Sequence, residues 1–329
     1  MSRPRVGFLG VGWIGRNRLE AIHRTGLIDI AGIADPSDAN VDAALALAGS
    51  AVRAATFDDL LDLDLDGLVI ATPSAMHAEQ SIATLNHGVA VFCQKPLGRS
   101  AAETRAVVDA ARAADRLLGV DLSYRFTAAM AQLAPLVRSG ALGRIFAVDL
   151  AFHNAYGPDK PWFYDPGQSG GGCVIDLGVH LIDLALWALD FPEVAGIDST
   201  LFTQGQPLTD RRTRVEDYAT ATLRVAGGPV VRLACSWRLQ AGQDAVIAAA
   251  FYGTDGGAGF RNERGSFYDF TAERYAGTHR TVLASPPDDW GGRAAIDWAT
   301  RLAGGARFDP AAAHHVDVAR VLDRIYGSS

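Results

Sequence analysis

Cysteine is scarce: Cys93, Cys173 and Cys235 are the three in 329 residues, far apart and in no CxxC pair. That argues against a disulfide framework or a zinc ribbon and marks them as small, reduced core residues. No basic run occurs, and 30 Lys plus Arg stand against 37 Asp plus Glu for a net charge of -7. Nucleic acid and anionic membrane are therefore not expected partners. No apolar run approaches the roughly 18 residues of a membrane helix. The first apolar strand opens at Arg5, leaving no room for a signal peptide, so a cytoplasmic protein is expected. No internal repeat or low-complexity tract appears, and no two His or Cys residues show ligand spacing with a matching carboxylate, so no metal site is expected.

What is present begins with Arg5 to Asp35. Arg5-Val6-Gly7-Phe8-Leu9 reads as a buried strand, Gly10-Val11-Gly12-Trp13-Ile14-Gly15 follows at once, and Arg16 to Thr25 has helix-compatible spacing. A second strand, Ile28 to Ala34, ends at Asp35. This is the order and spacing that a dinucleotide needs. Gly10 permits a tight turn, Gly12 lets backbone approach a pyrophosphate, and Gly15 lets the helix press on the strands. The helix start at Trp13 and Ile14 offers N–H groups and a positive dipole end to phosphate. Asp35 can accept from both ribose hydroxyls and would repel a 2′-phosphate, which favours NAD, with NADP as the alternative if Pro36-Ser37 rearranges.

Strand and helix then alternate: helix 38–47, an apolar run 51–55, helix 57–61, strand 67–71, helix 77–87, strand 90–93, helix 101–114 and strand 117–122. Six alternations imply an α/β, doubly wound parallel sheet of Rossmann type over residues 1–122. Its strand ends would carry Gly10 to Gly15, Asp35, Thr72, Pro73, His77 and Lys95 on one edge. Residues 123–329 change pattern to an α+β domain with an open, mostly antiparallel sheet. Helix 128–139 leads to strand 144–152, Gly227-Gly228 joins strands 218–225 and 229–237 as a hairpin, strands follow at 245–252, 266–272 and 281–284, and a helix closes at 310–326. A broad sheet face of this kind is expected to form a homodimer or homotetramer interface.

The second informative stretch is Gly170-Gly171-Gly172 followed by Cys173 to Asp183. On a helix Asp176, His180 and Asp183 share a face. The helix is otherwise apolar, and polar groups on a core helix need partners or work to do. Interconversion of an alcohol and a ketone by hydride transfer needs a proton acceptor, a positive donor beside the developing alkoxide and a nicotinamide within reach. His180 suits the first role, Lys95 the second, and Asp176 would orient them or hold a substrate hydroxyl.

These pieces together, with Ala71-Thr72-Pro73 before His77, Gln94-Lys95-Pro96, Tyr124-Arg125-Phe126 and Gly140-Ala141-Leu142-Gly143, make the chain similar throughout its length to the Gfo/Idh/MocA oxidoreductases. The resemblance implies a Rossmann domain followed by an open sheet whose exposed face forms dimers or tetramers. It implies cofactor contacts at Thr72, Pro73 and His77, and carries the family's Glu-Lys-Pro lysine onto Lys95 and its aspartate and histidine pair onto Asp176 and His180. It departs at Gln94, where the family has glutamate. It also implies a small polyol, sugar or sugar-derivative substrate, so the expectation is an NAD-dependent sugar or cyclitol dehydrogenase. A keto-sugar reductase of a nucleotide-sugar or antibiotic pathway and a catalytically silent dinucleotide-binding regulator are the alternatives. Candidate substrate contacts are Lys95, Tyr124, Arg125, His153, Trp162, Asp176 and His180. Arg125 has a purely structural pairing as its alternative, and Trp162, with Tyr156, Phe163 and Tyr164, has a loop anchored by its own aromatics. For His77 the alternative is a helix N-terminus capped by Ser74.

Overall fold

The computed structural model describes residues 2–327, which fold as two compact units. The first unit comprises residues 2–123 together with Gly291–Val316. Its strands are β1 (Arg5–Leu9), β2 (Asp29–Ala34), β3 (Val52–Arg53), β4 (Gly67–Ile70), β5 (Ala90–Cys93) and β6 (Leu118–Val120), and its helices α1 (Trp13–Arg24), α2 (Asp38–Leu45), α3 (Phe57–Leu61), α4 (Ser74–Asn86) and α5 (Ala101–Ala114). The sheet is parallel throughout in the order β3-β2-β1-β4-β5-β6. Strand order reverses between β1 and β4, and the crevice beyond the carboxyl ends of those two strands is where such sheets bind ligands. β4 and β5 are buried along their full length, as continuous apolar strands must be when covered on both faces.

The second unit comprises Tyr124–Trp290 and residues 317–327. It holds α6 (Ala128–Arg138), β7 (Ile145–Asn154), α7 (Pro166–Ser169), α8 (Val179–Ala188), β8 (Val194–Thr203), β9 (Gln206–Pro207), β10 (Tyr218–Val225), β11 (Val230–Ser236), β12 (Ala245–Gly253), β13 (Gly257–Asn262), β14 (Phe270–Ala276) and β15 (His279–Ala284). The nine strands run β15-β14-β13-β12-β7-β11-β10-β8-β9, antiparallel except for the central pairing of β7 with β11. The hairpin expected at Gly227-Gly228 forms with Tyr218 opposite Ser236. Three strands, β8, the two-residue β9 and β13, lay outside the sequence expectation. β8 is half exposed and rich in Ser, Thr and Asp, so it has no clean alternation, and β13 is glycine-rich and reads as a turn. The strand expected at 266–272 begins only at Phe270, because Ser266 caps a turn by accepting from Tyr268 and Asp269.

The expectation that no apolar run approaches membrane length needs correcting. The continuous helical stretch Pro166–Ala188 is long and apolar enough by composition, and most of it is buried inside the protein, as a core helix requires. All three cysteines are free and buried, with the Sγ atoms of Cys173 and Cys235 3.9 Å apart.

A further helix, α9 (Arg293–Ala303), had no counterpart in the sequence reading; the last helix, α10 (His314–Ile325), did. α9 buries Ala294, Ala295, Trp298 and Ala299, a spacing that puts them on one face. Trp298 reaches the first sheet because glycine stands where it lands: a Cβ at Gly67 would be 2.7 Å, and at Gly119 2.8 Å, from the indole. It also packs on Phe92 with ring centroids 5.8 Å apart. Trp298→Ala should therefore cost about 3–5 kcal/mol, read as a lowered urea midpoint.

Candidate active site

The turn between β1 and α1 is built for close approach. Gly10 has φ +82°, and a Cβ there would lie 2.6 Å from the Ala71 carbonyl oxygen. A Cβ at Gly15 would stand 2.0 Å from the Gly10 carbonyl oxygen, so α1 sits against the turn only because residue 15 has none. A Cβ at Gly12 would meet nothing within 4 Å, so that side of the loop is open. The N-terminus of α1 has no side-chain cap and no acidic residue in its first turn, which leaves its positive end available to an anion. Asp35, half buried beyond β2, accepts from Ser37 N (2.8 Å) and Asn40 Nδ2 (3.2 Å) on Oδ1 and from Val11 N (2.7 Å) on Oδ2. Oδ2 keeps acceptor capacity for a ribose hydroxyl. Trp13 is 62% exposed, so Trp13 and Ile14 contribute backbone at the helix start. These features fit a dinucleotide.

His77, expected near the cofactor, is 1% exposed and acts as a clamp. Its Nε2 lies 2.7 Å from the Thr72 carbonyl oxygen and its Nδ1 2.7 Å from that of Pro96, tying the ends of β4 and β5 together. Burial pushes its imidazole below the usual histidine range, ahead of the opposing pull of those two carbonyls. The cap of α4 is Pro73, with no side-chain hydrogen bond, so Ser74 is the first helical residue and does not cap it. Lys95, half buried after β5, lies between two residues held from outside the strand. Pro96 is held by His77, and the Gln94 amide donates to Asp121 Oδ2. Asp121 is 1% exposed, accepts from Arg18 Nε at 2.6 Å and also accepts from the Ser123 hydroxyl. A glutamate at position 94 would set a second carboxylate against Asp121, so an amide is the group this buried network accommodates. Sequence reasoning missed Arg18 and Asp121, because neither lies in a motif.

In the second unit the glycine run opens the core helix for a steric reason. A Cβ at Gly172 would lie 1.9 Å from the Glu216 carbonyl oxygen, and one at Gly171 2.1 Å from the Tyr326 hydroxyl. The Glu216 carboxylate, 1% exposed, accepts from Gly172 N (3.0 Å), Val174 N (2.8 Å) and Tyr326 Oη (2.7 Å). Residues Val174–Gly178 then form a π-turn, with Val179 N bonded five residues back to Val174 O, before α8 continues in register. Such turns recur at functional sites because they re-aim side chains.

Asp176, within that turn, is half buried and accepts from Trp237 Nε1 at 3.0 Å. His180 is 8% exposed and packs against the Tyr124 ring at 4.8 Å between centroids. Tyr124 also touches Phe152, Phe270 and Trp290, and burial pushes its phenol well up, so it stays protonated. Asp183 is 2% exposed and takes the Arg125 guanidinium on both oxygens, with Nε–Oδ2 at 2.7 Å. Arg125 is thereby committed to Asp183 and stacks on Trp187 and Phe191. His153, on β7, has its Nδ1 2.8 Å from Ser236 Oγ and lies parallel to the Tyr218 ring. Trp162 stacks on Phe163 at 3.8 Å, Phe163 meets Trp237 edge-on at 6.2 Å, and Tyr164 does so at 5.6 Å. Trp237 is thus the residue that joins the aromatic loop to Asp176. It follows a strand and shows no motif, so only the fold reveals it.

Burial pushes the Glu216 carboxyl up, against the pull of Tyr326 and the backbone donors. The folded chain then keeps this proton at pH values where the unfolded chain has lost it, so stability falls as pH rises from the ordinary glutamate value of 4.5 through the folded value. Glu216→Gln should flatten that slope, measured by urea unfolding between about pH 4 and about pH 8.

Residues 4–122 match the oxidoreductase family with an NAD-binding Rossmann fold, and residues 130–258 match the GFO/IDH/MocA C-terminal domain. The chain is 28% identical over 274 residues to D-glucoside 3-dehydrogenase of Escherichia coli strain K12, covering 78% of this chain and 77% of that protein. It is 34% identical over 189 residues to inositol 2-dehydrogenase of Rhodococcus erythropolis strain PR4, covering 56% of this chain and 53% of that one. Among solved structures, levoglucosan dehydrogenase in complex with NADH superposes with a TM-score of 0.83 at 24% identity, covering 99% of this chain and 97% of that one. The glycine turn with Asp35, the Gln94-Lys95-Pro96 stretch and the Asp176 to His180 helix stand within those two matched regions, and the chain belongs to the Gfo/Idh/MocA family of NAD-binding oxidoreductases.

Proposed function

We propose that the chain is an NAD-dependent dehydrogenase that interconverts a secondary alcohol and a ketone on a sugar or cyclitol. The observation that carries this reading is the pair Asp176 and His180, polar groups kept on a core helix of an NAD-binding oxidoreductase. NAD, when bound, supplies the hydride acceptor. His180 takes the hydroxyl proton in oxidation and returns it in reduction, a role its near-neutral intrinsic basicity suits. Lys95 stabilises the developing alkoxide with a compact positive charge. Asp176 holds a substrate hydroxyl, its own orientation set by Trp237. Tyr124, His153 and Trp162 shape the substrate site; Arg125 enters through its grip on Asp183. Asp35 selects NAD over NADP by accepting ribose hydroxyls.

The names of the relatives support a carbohydrate or cyclitol substrate. The protein acts in the cytoplasm as a homodimer or homotetramer through the face of the nine-stranded sheet, without nucleic acid or membrane. The second reading is reduction of a keto-sugar by the same residues, and Gln94 is the feature that would favour a silent regulator. Absorbance at the reduced-nicotinamide band, followed with inositols, aldoses, amino sugars and sugar phosphates, should rise with NAD and a sugar or cyclitol. A rise with NADP alone would overturn the Asp35 assignment. His180→Asn should lower kcat about 10²–10⁴-fold, and Lys95→Ala should abolish turnover, each leaving NAD affinity by calorimetry within about threefold; normal kcat in either would remove that residue from the chemistry.

A further inference from the structure

The second unit contains a cavity of about 230 Å³ lined by Tyr164, Thr203, Gln204, Thr213, Arg214, Val215, Asp217, Trp237 and Arg238. None of the residues assigned above to substrate or cofactor lines it. Its lining carries two exposed guanidinium groups, Arg214 and Arg238, and the carboxylate of Asp217, while the Asp210 carboxylate lies near enough to feel the charge of Arg214. Asp217 is already engaged, accepting from Gln204 N at 2.9 Å. Among the described residues neither guanidinium has a carboxylate within ion-pair distance; Arg238 reaches only the Tyr164 hydroxyl at 3.2 Å and lies over its ring. Two planar, ten-donor-strong cationic groups left with donors to spare are the chemistry that recognises phosphate and carboxylate.

The backbone also holds a cost here. Arg238 has φ +59°, a left-handed conformation that non-glycine residues seldom adopt, immediately after β11. Gln204 shares such a value, φ +51°, but it sits with Gly205 in the two-residue turn from β8 to β9, which requires it. Arg238 lies in the bend where the chain leaves β11, with Leu239 N bonded to Asn154 O at 2.9 Å just beyond it, and left-handed residues of this kind occur at ligand sites. The volume lies below the roughly 300–1,000 Å³ of a drug-sized pocket, which fits one anionic group with part of the ring that bears it. The Tyr164 and Trp237 rings supply apolar faces for that ring.

We propose that this cavity is a recognition subsite for an anionic group, a phosphate or carboxylate, and that Trp237 couples its occupancy to Asp176. Trp237 forms a wall of the cavity, its peptide N donates to Asp217 O at 2.7 Å, and its indole N–H donates to Asp176 Oδ2. A group pressed against the indole therefore bears on the carboxylate assigned above to the substrate. The coupling rests on that assignment; the anion site does not. The same chemistry has two sources, a charged group on the sugar substrate itself or a separate anion.

Isothermal titration of the full chain without NAD, using inorganic phosphate, D-glucose 6-phosphate and D-glucose, tests the site independently of turnover. Arg214→Ala with Arg238→Ala should weaken both phosphate probes by about tenfold or more, as loss of charge-assisted hydrogen bonds does, and Arg214→Lys with Arg238→Lys should retain part of the binding. Glucose 6-phosphate binding tighter than inorganic phosphate would identify the source as the substrate, and equal binding would identify a separate anion. Phosphate binding that is absent, or unchanged in the double alanine variant, overturns the proposal. The indole N–H resonance of Trp237, assigned by its disappearance in Trp237→Phe, should shift on adding phosphate, and its constancy would overturn the coupling. If the dehydrogenase reading fails, no reduced nicotinamide forms with any polyol while the calorimetric binding persists.

Discussion

The whole arrangement depends on backbone approaching backbone more closely than any side chain would permit. At Gly15 the missing Cβ lets α1 lie against the Gly10 carbonyl, and at Gly172 another lets the core helix begin beside the Glu216 carbonyl. The first contact points a helix N-terminus at the place for a pyrophosphate. The second sets where the π-turn begins and hence where Asp176 and His180 stand on their helix. Both are close-packing constraints, and packed interiors yield to an added methyl only by moving whole elements.

Around those two contacts lie three buried polar networks, each closed by its own partners. Asp121 is satisfied by Arg18, Ser123 and Gln94; Asp183 by Arg125; and Glu216 by Tyr326 and two peptide N–H groups. The two that are ion pairs, Arg18 with Asp121 and Arg125 with Asp183, add little net stability over apolar substitutes, yet removing one partner leaves a stranded charge and costs several kcal/mol. The effect of all three networks is orientation. They fix Gln94 beside Lys95, Asp183 one turn beyond His180, and the residues that open the helix, so groups suited to chemistry are carried on backbone that cannot drift.

The departure at Gln94 follows from the same logic. An amide can donate to Asp121, whereas a carboxylate could only oppose it. Lys95 is one of two lysines in the chain, the other being Lys160, while arginine supplies the remaining cationic side chains. Arginine forms the buried and bidentate pairs, as its planar fork favours, and lysine appears where a compact, mobile charge suits a developing alkoxide.

Local order was legible in the sequence wherever one element carries its own signal. The six parallel strands, the glycine turn with Asp35 twenty residues on, the hairpin at Gly227-Gly228 and the apolar helix bearing Asp176 and His180 all follow from periodicity, turn chemistry and spacing, which act over a few residues. β8 escaped because it is half exposed and shows no clean alternation, β13 because its glycines read as a turn, and α9 because its burial comes from distant partners, Trp298 landing on Gly67 and Gly119. The sequence by itself determined the cofactor class and the residue types available for chemistry. Only the tertiary structure decided that Arg125 is held by Asp183, that His77 is a clamp and that Trp237 holds Asp176, because a hydrogen-bond partner up to 61 residues away leaves no local pattern to read.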